Sequence, residues 1–210
     1  MKVRCSSLGK IMTKSRSKDQ PLSKTAQSYI KEIAKQDFYG YEATLDNKYL
    51  DKGRTVEDEA IQLYNDVFFT MFQKHEGRVE NDYLTGECDV LSVDLDKIID
   101  IKSSWSLETF PALPEDINNN EYEWQLRGYM MLYGAMSAEL AYCMVSTPDD
   151  LLKDWESDAI HKVDHIDPCQ RVTVVEFQRD LQKEEEIKTQ CKLAQEYYND
   201  YIAELNNKNK

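Results

Sequence analysis

The chain is poor in the residues and segments that mark several common classes of protein. Its 210 residues include three histidines, too few for most zinc sites or histidine-based catalytic centres. No apolar run approaches the roughly 20 residues of a transmembrane helix, and no secretory hydrophobic core follows the first four residues. Five scattered cysteines, an odd number, favour free thiols in a reducing compartment. We therefore expect a soluble cytoplasmic protein without a membrane partner.

The length suits one domain with a substantial core. We predict a single domain over residues 1–210, with an N-terminal helical segment over 1–50, a core over 51–178 and a terminal helix over 179–206. Amphipathic helical patterns alternate with β-rich runs in the order helix, strand, strand, helix, strand. This order predicts an α/β fold with a central mixed β-sheet flanked by helices.

Two carboxylates and a lysine fall on a predicted β-hairpin. Residues 83–93 and 97–103 are β-rich, and a short polar stretch separates them. We predict a register in which Asp89 lies opposite Lys102, and strand alternation puts Asp100 on the same face. The Cβ atoms of the two aspartates would lie roughly 7–8 Å apart. Two negative charges held that close raise one pKa and cost stability unless the pair opens to solvent or shares a hard cation such as Mg²⁺.

A third acid precedes the hairpin on a predicted helix over residues 55–71. Glu57 falls on the same stripe as Ala60, Ile61 and Tyr64, and therefore on the apolar side. An inward carboxylate needs a partner, and a metal ion is one candidate. Alternatively, Glu57 is hydrated at the edge of the stripe or attracted to the positive helix N-terminus.

Four short motifs occur in a fixed order along the chain. They are Gly53-Arg-Thr-Val-Glu57, Gly86-Glu-Cys-Asp89, Asp100-Ile-Lys102 and Gln125-Leu-Arg-Gly-Tyr129. This series resembles that of the PD-(D/E)XK nucleases, and most closely the RecB-type branch that contains lambda exonuclease and the YqaJ-like phage recombinases. The resemblance covers nearly the whole chain. It implies a restriction-endonuclease-like core over residues 51–178 and a long C-terminal helix.

The resemblance implies a role for each motif residue. Asp89 and Asp100 would hold Mg²⁺ or Mn²⁺ together with the backbone carbonyl of Ile101, and Glu57 would complete the shell directly or through water. Lys102 would orient the attacking water and stabilise charge on the phosphoryl oxygens.

Other residues are expected to border the site or the DNA. Gln125 and Tyr129 share one face of a helix that borders the active site in RecB-like members, and ordinary packing is the alternative for both. Arg4, Ser6 and Ser7 match the segment with which lambda-exonuclease-like proteins contact a terminal phosphate, and a plain helix N-cap is the alternative there.

The net charge of -13 argues against DNA binding, because duplex binders usually present a basic face. A basic stretch near the N-terminus softens this objection. It consists of Lys10, Lys14, Arg16, Lys18 and Lys24. Such residues either line a DNA path or form an ordinary solvated surface.

Cofactors and assembly are also judged against the resemblance. Some RecB-like nucleases hold an iron-sulfur cluster with one early cysteine and three closely spaced late ones. Here Cys143, Cys169 and Cys191 are 26 and 22 residues apart, so we expect no cluster. The last helix carries an apolar seam that suits packing within the fold or between subunits. Lambda-exonuclease relatives form trimers, which implies a possible homo-oligomer.

The resemblance and the acid motifs together predict a Mg²⁺-dependent exonuclease acting 5′-3′ on double-stranded DNA ends. Phages pair such enzymes with a single-strand annealing protein for recombination, and a phage-encoded chain would work in the host cytoplasm. One alternative is a structure-specific or single-strand RecB-like nuclease. Another is a non-catalytic DNA-end-binding protein with a nuclease fold, which has no need of the clustered acids.

Overall fold

A computed structural model gives the architecture and describes residues 1–17, 19–43, 47–117 and 120–208. Lys18 of the basic stretch lies outside the described residues. The strands are β1 (Val3–Arg4), β2 (Val79–Glu80), β3 (Leu84–Gly86), β4 (Val90–Ser92), β5 (Lys97–Ser103), β6 (Ser137–Cys143) and β7 (Val172–Gln178). The helices are α1 (Leu8–Ile11), α2 (Lys24–Tyr39), α3 (Lys48–Thr55), α4 (Glu57–Phe68), α5 (Asn120–Tyr133), α6 (Asp158–His161) and α7 (Leu181–Asn207).

The strands form two mixed sheets with helices packed against them. The larger sheet has the order β4-β5-β6-β7, in which β5 and β6 are parallel and the outer pairs antiparallel. The smaller sheet has the order β1-β3-β2 and ties the N-terminus to the middle of the chain. The predicted α/β fold with a central mixed sheet is confirmed. Within the described ranges, no helix combines the length and apolarity needed to cross a membrane.

The β4–β5 hairpin forms, but its predicted register is wrong by two residues. The turn consists of residues 93–96 instead of 94–97. Asp96 has a φ of 50°, a left-handed conformation that aspartate tolerates better than most residues. It is the last residue of the turn, which therefore ends one residue before its predicted end. A shift of two residues keeps every side chain on its predicted face. Continuing the observed register by one residue brings Asp89 level with Asp100 instead of with the lysine two residues on.

The predicted strand over 83–93 is also wrong, because β3 and β4 belong to different sheets. A close contact holds β3 against the N-terminal turn. A Cβ atom built on Gly86 would lie 2.7 Å from Cε1 of Tyr129 and 3.0 Å from Sγ of Cys5. Glycine therefore lets β3 approach the turn that follows β1 and also α5.

We expect Gly86→Ala to destabilise the fold by about 1–3 kcal/mol, because the added methyl group overpacks this contact. Gly53→Ala is the matched control. A Cβ atom there meets nothing within 4 Å, and alanine favours the helical conformation of α3. Its expected effect is a gain of about 0.5–1 kcal/mol. Urea denaturation followed by circular dichroism measures both, and equal stabilities would show that the Gly86 contact is not tight.

The apolar seam of α7 packs within the fold. Ile187, Cys191 and Ala194 are fully buried and belong to the same core cluster as Ala26 and Ile30 of α2. The sequence allows the seam to pack either within the fold or between subunits. In the described residues, this part of the seam packs against α2 of the same chain.

A buried lysine anchors α3, a helix that the sequence pattern does not predict. Lys52 is 0% exposed, and its Nζ donates hydrogen bonds to the carbonyl oxygens of Ser104 (2.6 Å), Trp105 (3.2 Å) and Val145 (2.9 Å). Burial and, to a smaller extent, the nearby charge of Lys162 lower the pKa of Lys52 to about 8. These bonds tie α3 to the segments that follow β5 and β6.

Candidate active site

A cavity of about 620 Å³ brings most of the predicted site residues together. It lies between α3, the start of α4, the carboxyl-terminal half of β5 and the first turns of α5. The predicted residues that line it are Ser6, Glu57, Asp89, Ile101, Lys102 and Gln125. Asp100 lies beneath its floor and is fully buried.

Asp100 is held between a cation and an amide. The Nζ of Lys102 lies 2.5 Å from its Oδ2, and the Nε2 of Gln125 donates a hydrogen bond to its Oδ1 at 2.9 Å. The same Nε2 lies 3.2 Å from the hydroxyl of Tyr129, which supports the amide from behind. Apart from the ion pair, Oδ2 accepts no well-aligned hydrogen bond from any described residue.

Asp89 completes a tightly coupled group with Asp100 and Lys102. Its Oδ2 accepts the backbone N–H of Ile101 at 2.7 Å. Burial and the charge of Asp100 raise the pKa of Asp89 to about 6, while Lys102 and the Ile101 N–H oppose the rise. Burial alone would lower the pKa of Lys102, but the two carboxylates outweigh it and raise that pKa above its usual range. Lys102 is therefore a fixed cation at neutral pH.

Glu57 faces the same cavity without joining the two aspartates. Its Oε2 lies 2.6 Å from the Nζ of Lys74, and it is the first residue of α4. Lys74 belongs to a segment that runs along the site, where the N–H of His75 donates to the carbonyl oxygen of Asp89 at 2.7 Å. In the part of the chain that the structure describes, no three His, Cys, Asp or Glu side chains lie close enough together to hold a metal ion.

The donor groups on the cavity floor fit a hard divalent cation. Asp89 and Asp100 supply oxygen ligands, the kind that Mg²⁺ prefers. The buried Oδ2 of Asp100 has the Lys102 ammonium as its close partner and no other donor among the described residues, and burial together with the charge of Asp100 raises the pKa of Asp89. Both features are typical of acids that share a positive ion.

The structure separates the remaining predicted residues. Ser6 lines the cavity, whereas Ser7 is half-buried beside Tyr29 and Arg4 is exposed at β1. Tyr129 is buried and reaches the site through its glutamine neighbour on α5.

Several lining residues are not among the predicted site residues, although Gly53 and Arg54 lie within the first motif. They are Tyr49, Leu50, Gly53, Arg54, Ser103, Tyr122 and Tyr142. The residues on α3 are missed because the helix itself is not predicted. Asn47 could have marked the start of this helix, because the Asn47 side chain accepts the N–H of Tyr49 at 2.9 Å, as an N-cap does. Tyr122 lies one helical turn before Gln125, a spacing that could have identified it. Its ring centroid is 5.3 Å from the Nζ of Lys102, a cation–π distance.

Solved exonuclease structures resemble the chain over nearly its full length. The phage-related exonuclease from Haemophilus somnus 129PT is 35% identical, with a TM-score of 0.92, and the match covers 98% of this chain and 96% of that one. An alkaline exonuclease from Laribacter hongkongensis is 19% identical, with a TM-score of 0.71 and coverage of 99% and 92%, which shows a shared fold. In complex with dAMP, that enzyme matches with a TM-score of 0.68, 18% identity and the same coverage. No protein-family model and no curated protein matches the chain.

Proposed function

The chain belongs to the phage-related exonuclease family of PD-(D/E)XK nucleases, and on that premise we propose that it is a Mg²⁺-dependent enzyme that digests double-stranded DNA from its 5′ ends. The observation that carries the chemistry is the coupled group of Asp89, Asp100 and Lys102 at the floor of an open cavity. A protein that only binds DNA ends has no use for two buried carboxylates held against one ammonium group.

Asp89 and Asp100 are the residues that would hold Mg²⁺ or Mn²⁺. The N–H and C=O of one residue in an antiparallel ladder point to the same neighbouring strand. Because the N–H of Ile101 points to Asp89, its carbonyl oxygen also faces that edge, beyond the end of the β4 ladder. When bound, the divalent ion supplies a Lewis acid that activates water and offsets negative charge on the phosphoryl oxygens.

The chain's own residues position and charge the site. Lys102 keeps its proton at neutral pH and offers an ammonium group to the oxygens of a phosphate in the cavity. Gln125 fixes the orientation of the Asp100 carboxylate, and Tyr129 fixes Gln125. Glu57 lines the same cavity and is available to the ion directly or through water once it leaves Lys74.

The direction of digestion and the biological setting come from the family. We propose 5′-3′ resection for phage-type recombination in the cytoplasm, in which a single-strand annealing protein takes up the strand that remains. A homo-oligomer, by analogy a trimer, would keep the enzyme on its DNA.

The proposal is tested by incubating the protein with linear duplex, covalently closed circular duplex and single-stranded DNA, each in Mg²⁺ and in EDTA. We expect loss of the linear duplex in Mg²⁺ alone. A duplex labelled at one 5′ end should release its label as the first product, whereas a 3′ label should stay on a long single strand.

Other outcomes of this digestion assay would support the alternative hypotheses. Digestion of the closed circle would indicate an endonuclease, and preference for the single strand would indicate a RecB-like nuclease. Binding of duplex ends without hydrolysis under all conditions would make the chain a DNA-end-binding protein and overturn the proposal.

A further inference from the structure

Positive and negative charges are segregated along the chain. Residues 1–35 contain nine Lys or Arg and two Asp or Glu, a net charge of +7, whereas the remaining residues carry -20. The first segment forms β1, α1 and most of α2, of which α1 packs on α5 and α2 packs on α7. The protein as a whole is therefore acidic, but the layer formed by residues 1–35 is basic.

The cations of this layer are held away from acids. Lys2 pairs with Glu80, but no described carboxylate lies within 4 Å of the others whose positions the structure gives. These are Arg4, Lys10, Lys14, Arg16, Lys24, Lys31 and Lys35. Several later lysines differ in this respect, and Lys97 and Lys162, for example, both form ion pairs. An unpaired cation keeps its full charge for an external partner.

Two of these lysines rest on tyrosine rings. The Nζ of Lys10 lies 5.3 Å from the ring centroid of Tyr29, and the Nζ of Lys31 lies 5.3 Å from that of Tyr201. Such contacts orient an ammonium group without neutralising it. Lys24 occupies the same face of α2 as Lys31, because the two are seven residues, or two turns, apart.

Lys10 and Lys24 line one shallow cleft together with hydroxyl groups. The other lining residues are Thr25, Ser28, Tyr29 and Glu32, of which Glu32 is the acid. Hydroxyls and lysines are the side chains that most often contact phosphate oxygens of DNA. We call the exposed surface of Lys10, Lys24 and Lys31 the N-terminal basic surface.

This surface begins where the cavity ends. Ser6 lines the cavity, while the next residue, Ser7, lies against the hydroxyl of Tyr29 in the cleft. The backbone advances about 6 Å between Ser6 and Lys10 at the helical rise of 1.5 Å per residue. Phosphates of one DNA strand are spaced about 3.4 Å along the duplex axis, so an advance of about 6 Å along that axis spans about two of them.

We infer that the N-terminal basic surface binds the phosphodiester backbone of the DNA duplex whose end occupies the cavity. The inference rests on the proposed function for the identity of the cavity's occupant. Lys10, Lys24 and Lys31 would bind the DNA backbone, and the acids on the cavity floor would serve cleavage of the phosphodiester bond.

The test compares Lys10→Gln/Lys24→Gln/Lys31→Gln with the control Lys153→Gln/Lys192→Gln/Lys208→Gln. All six lysines are exposed, and both triple variants change the net charge from -13 to -16. Binding of a fluorescent 30-base-pair duplex is measured by anisotropy in EDTA at several salt concentrations. Each lost phosphate contact lowers the slope of log K against log salt by about 0.9. We expect the first triple to lose up to about 2.7 from this slope and at least about tenfold in affinity at 0.15 M salt.

The control triple should keep the wild-type slope and affinity. Equal losses in both variants would show that net charge alone matters, and an unchanged slope in the first triple would show that these lysines do not touch DNA. Either result overturns the inference. Because the assay needs no hydrolysis, wild type that binds through this surface but leaves DNA intact in Mg²⁺ would overturn the proposed function alone. In Mg²⁺, the first triple should have a raised KM and a wild-type kcat, and circular dichroism checks its fold.

Discussion

Asp100→Asn is expected to lower kcat for DNA hydrolysis by about 10³-fold or more. The substitution keeps the size of the side chain and an oxygen for the Gln125 amide, but it removes the buried negative charge. That charge offers a ligand to the divalent ion and keeps Lys102 close. Groups that act on charge developing in the transition state are worth about 10²–10³ each, and loss of metal binding adds to that. Rates at saturating DNA and Mg²⁺ measure the effect.

Asp154→Asn controls for the change in net charge, since Asp154 is exposed and far along the chain from the site motifs. It should keep the wild-type rate. Titration with Mn²⁺ by calorimetry provides a readout that does not depend on turnover, and Asp100→Asn should bind the ion much more weakly. A variant that retains a tenth of the wild-type rate and normal Mn²⁺ affinity would remove Asp100 from the list of metal ligands.

The largest effect on stability is expected from Lys52→Met. Methionine fills a similar volume but donates no hydrogen bond, so the buried carbonyl oxygens of Ser104 and Val145 lose the donor that Lys52 supplies. Trp105 is less affected, because its carbonyl also accepts from Thr147 at 2.9 Å. At about 1–3 kcal/mol for each of the two orphaned groups, the loss is about 2–6 kcal/mol in the free energy of unfolding. Urea denaturation at pH 7 measures it.

The pH dependence of this loss is a second readout. The folded pKa of Lys52, about 8, lies below the unfolded value of 10.5. Between these values the unfolded chain holds the proton more tightly, so this group makes wild type more stable as pH rises from 8 to 10.5. The methionine variant lacks that contribution, and its deficit should grow over the same window. Lys35→Met on exposed α2 should stay within about 0.5 kcal/mol at both pH values. A constant deficit would mean that Lys52 is not a buried cation.

Local patterns predict the elements that follow from their own composition and periodicity. β5 spans residues 97–103 as its β-rich composition indicates, and α4 buries Ala60, Ile61 and Tyr64 as its stripe indicates. The hairpin register fails because it depends on the turn, where a left-handed Asp96 shortens the ladder. The break between β3 and β4 depends on Gly86 meeting a cysteine about eighty residues earlier in the chain, which no local pattern contains.

The site shows the same division. Three acids and a lysine are predicted to converge, and the structure places them at one cavity. Glu57, however, pairs with Lys74, which the sequence pattern does not predict to be near the site. The wall supplied by α3 is missed because its single buried residue is Lys52. A charged side chain at the inward position removes the apolar repeat by which a helix is recognised. Hydrogen bonding to distant carbonyls, which a sequence does not display, makes that position possible.

The division of charge between the first 35 residues and the rest acts before any contact is made. A polyanion approaching from most directions meets a like-signed field and is turned away, whereas one approaching the lysine-rich side is drawn in. The unequal distribution of charge thus favours encounters in which the basic layer faces the duplex. At low salt concentration, productive encounters should therefore be faster and unproductive ones rarer. The orientation of the duplex is thus selected while protein and DNA are still separated by water.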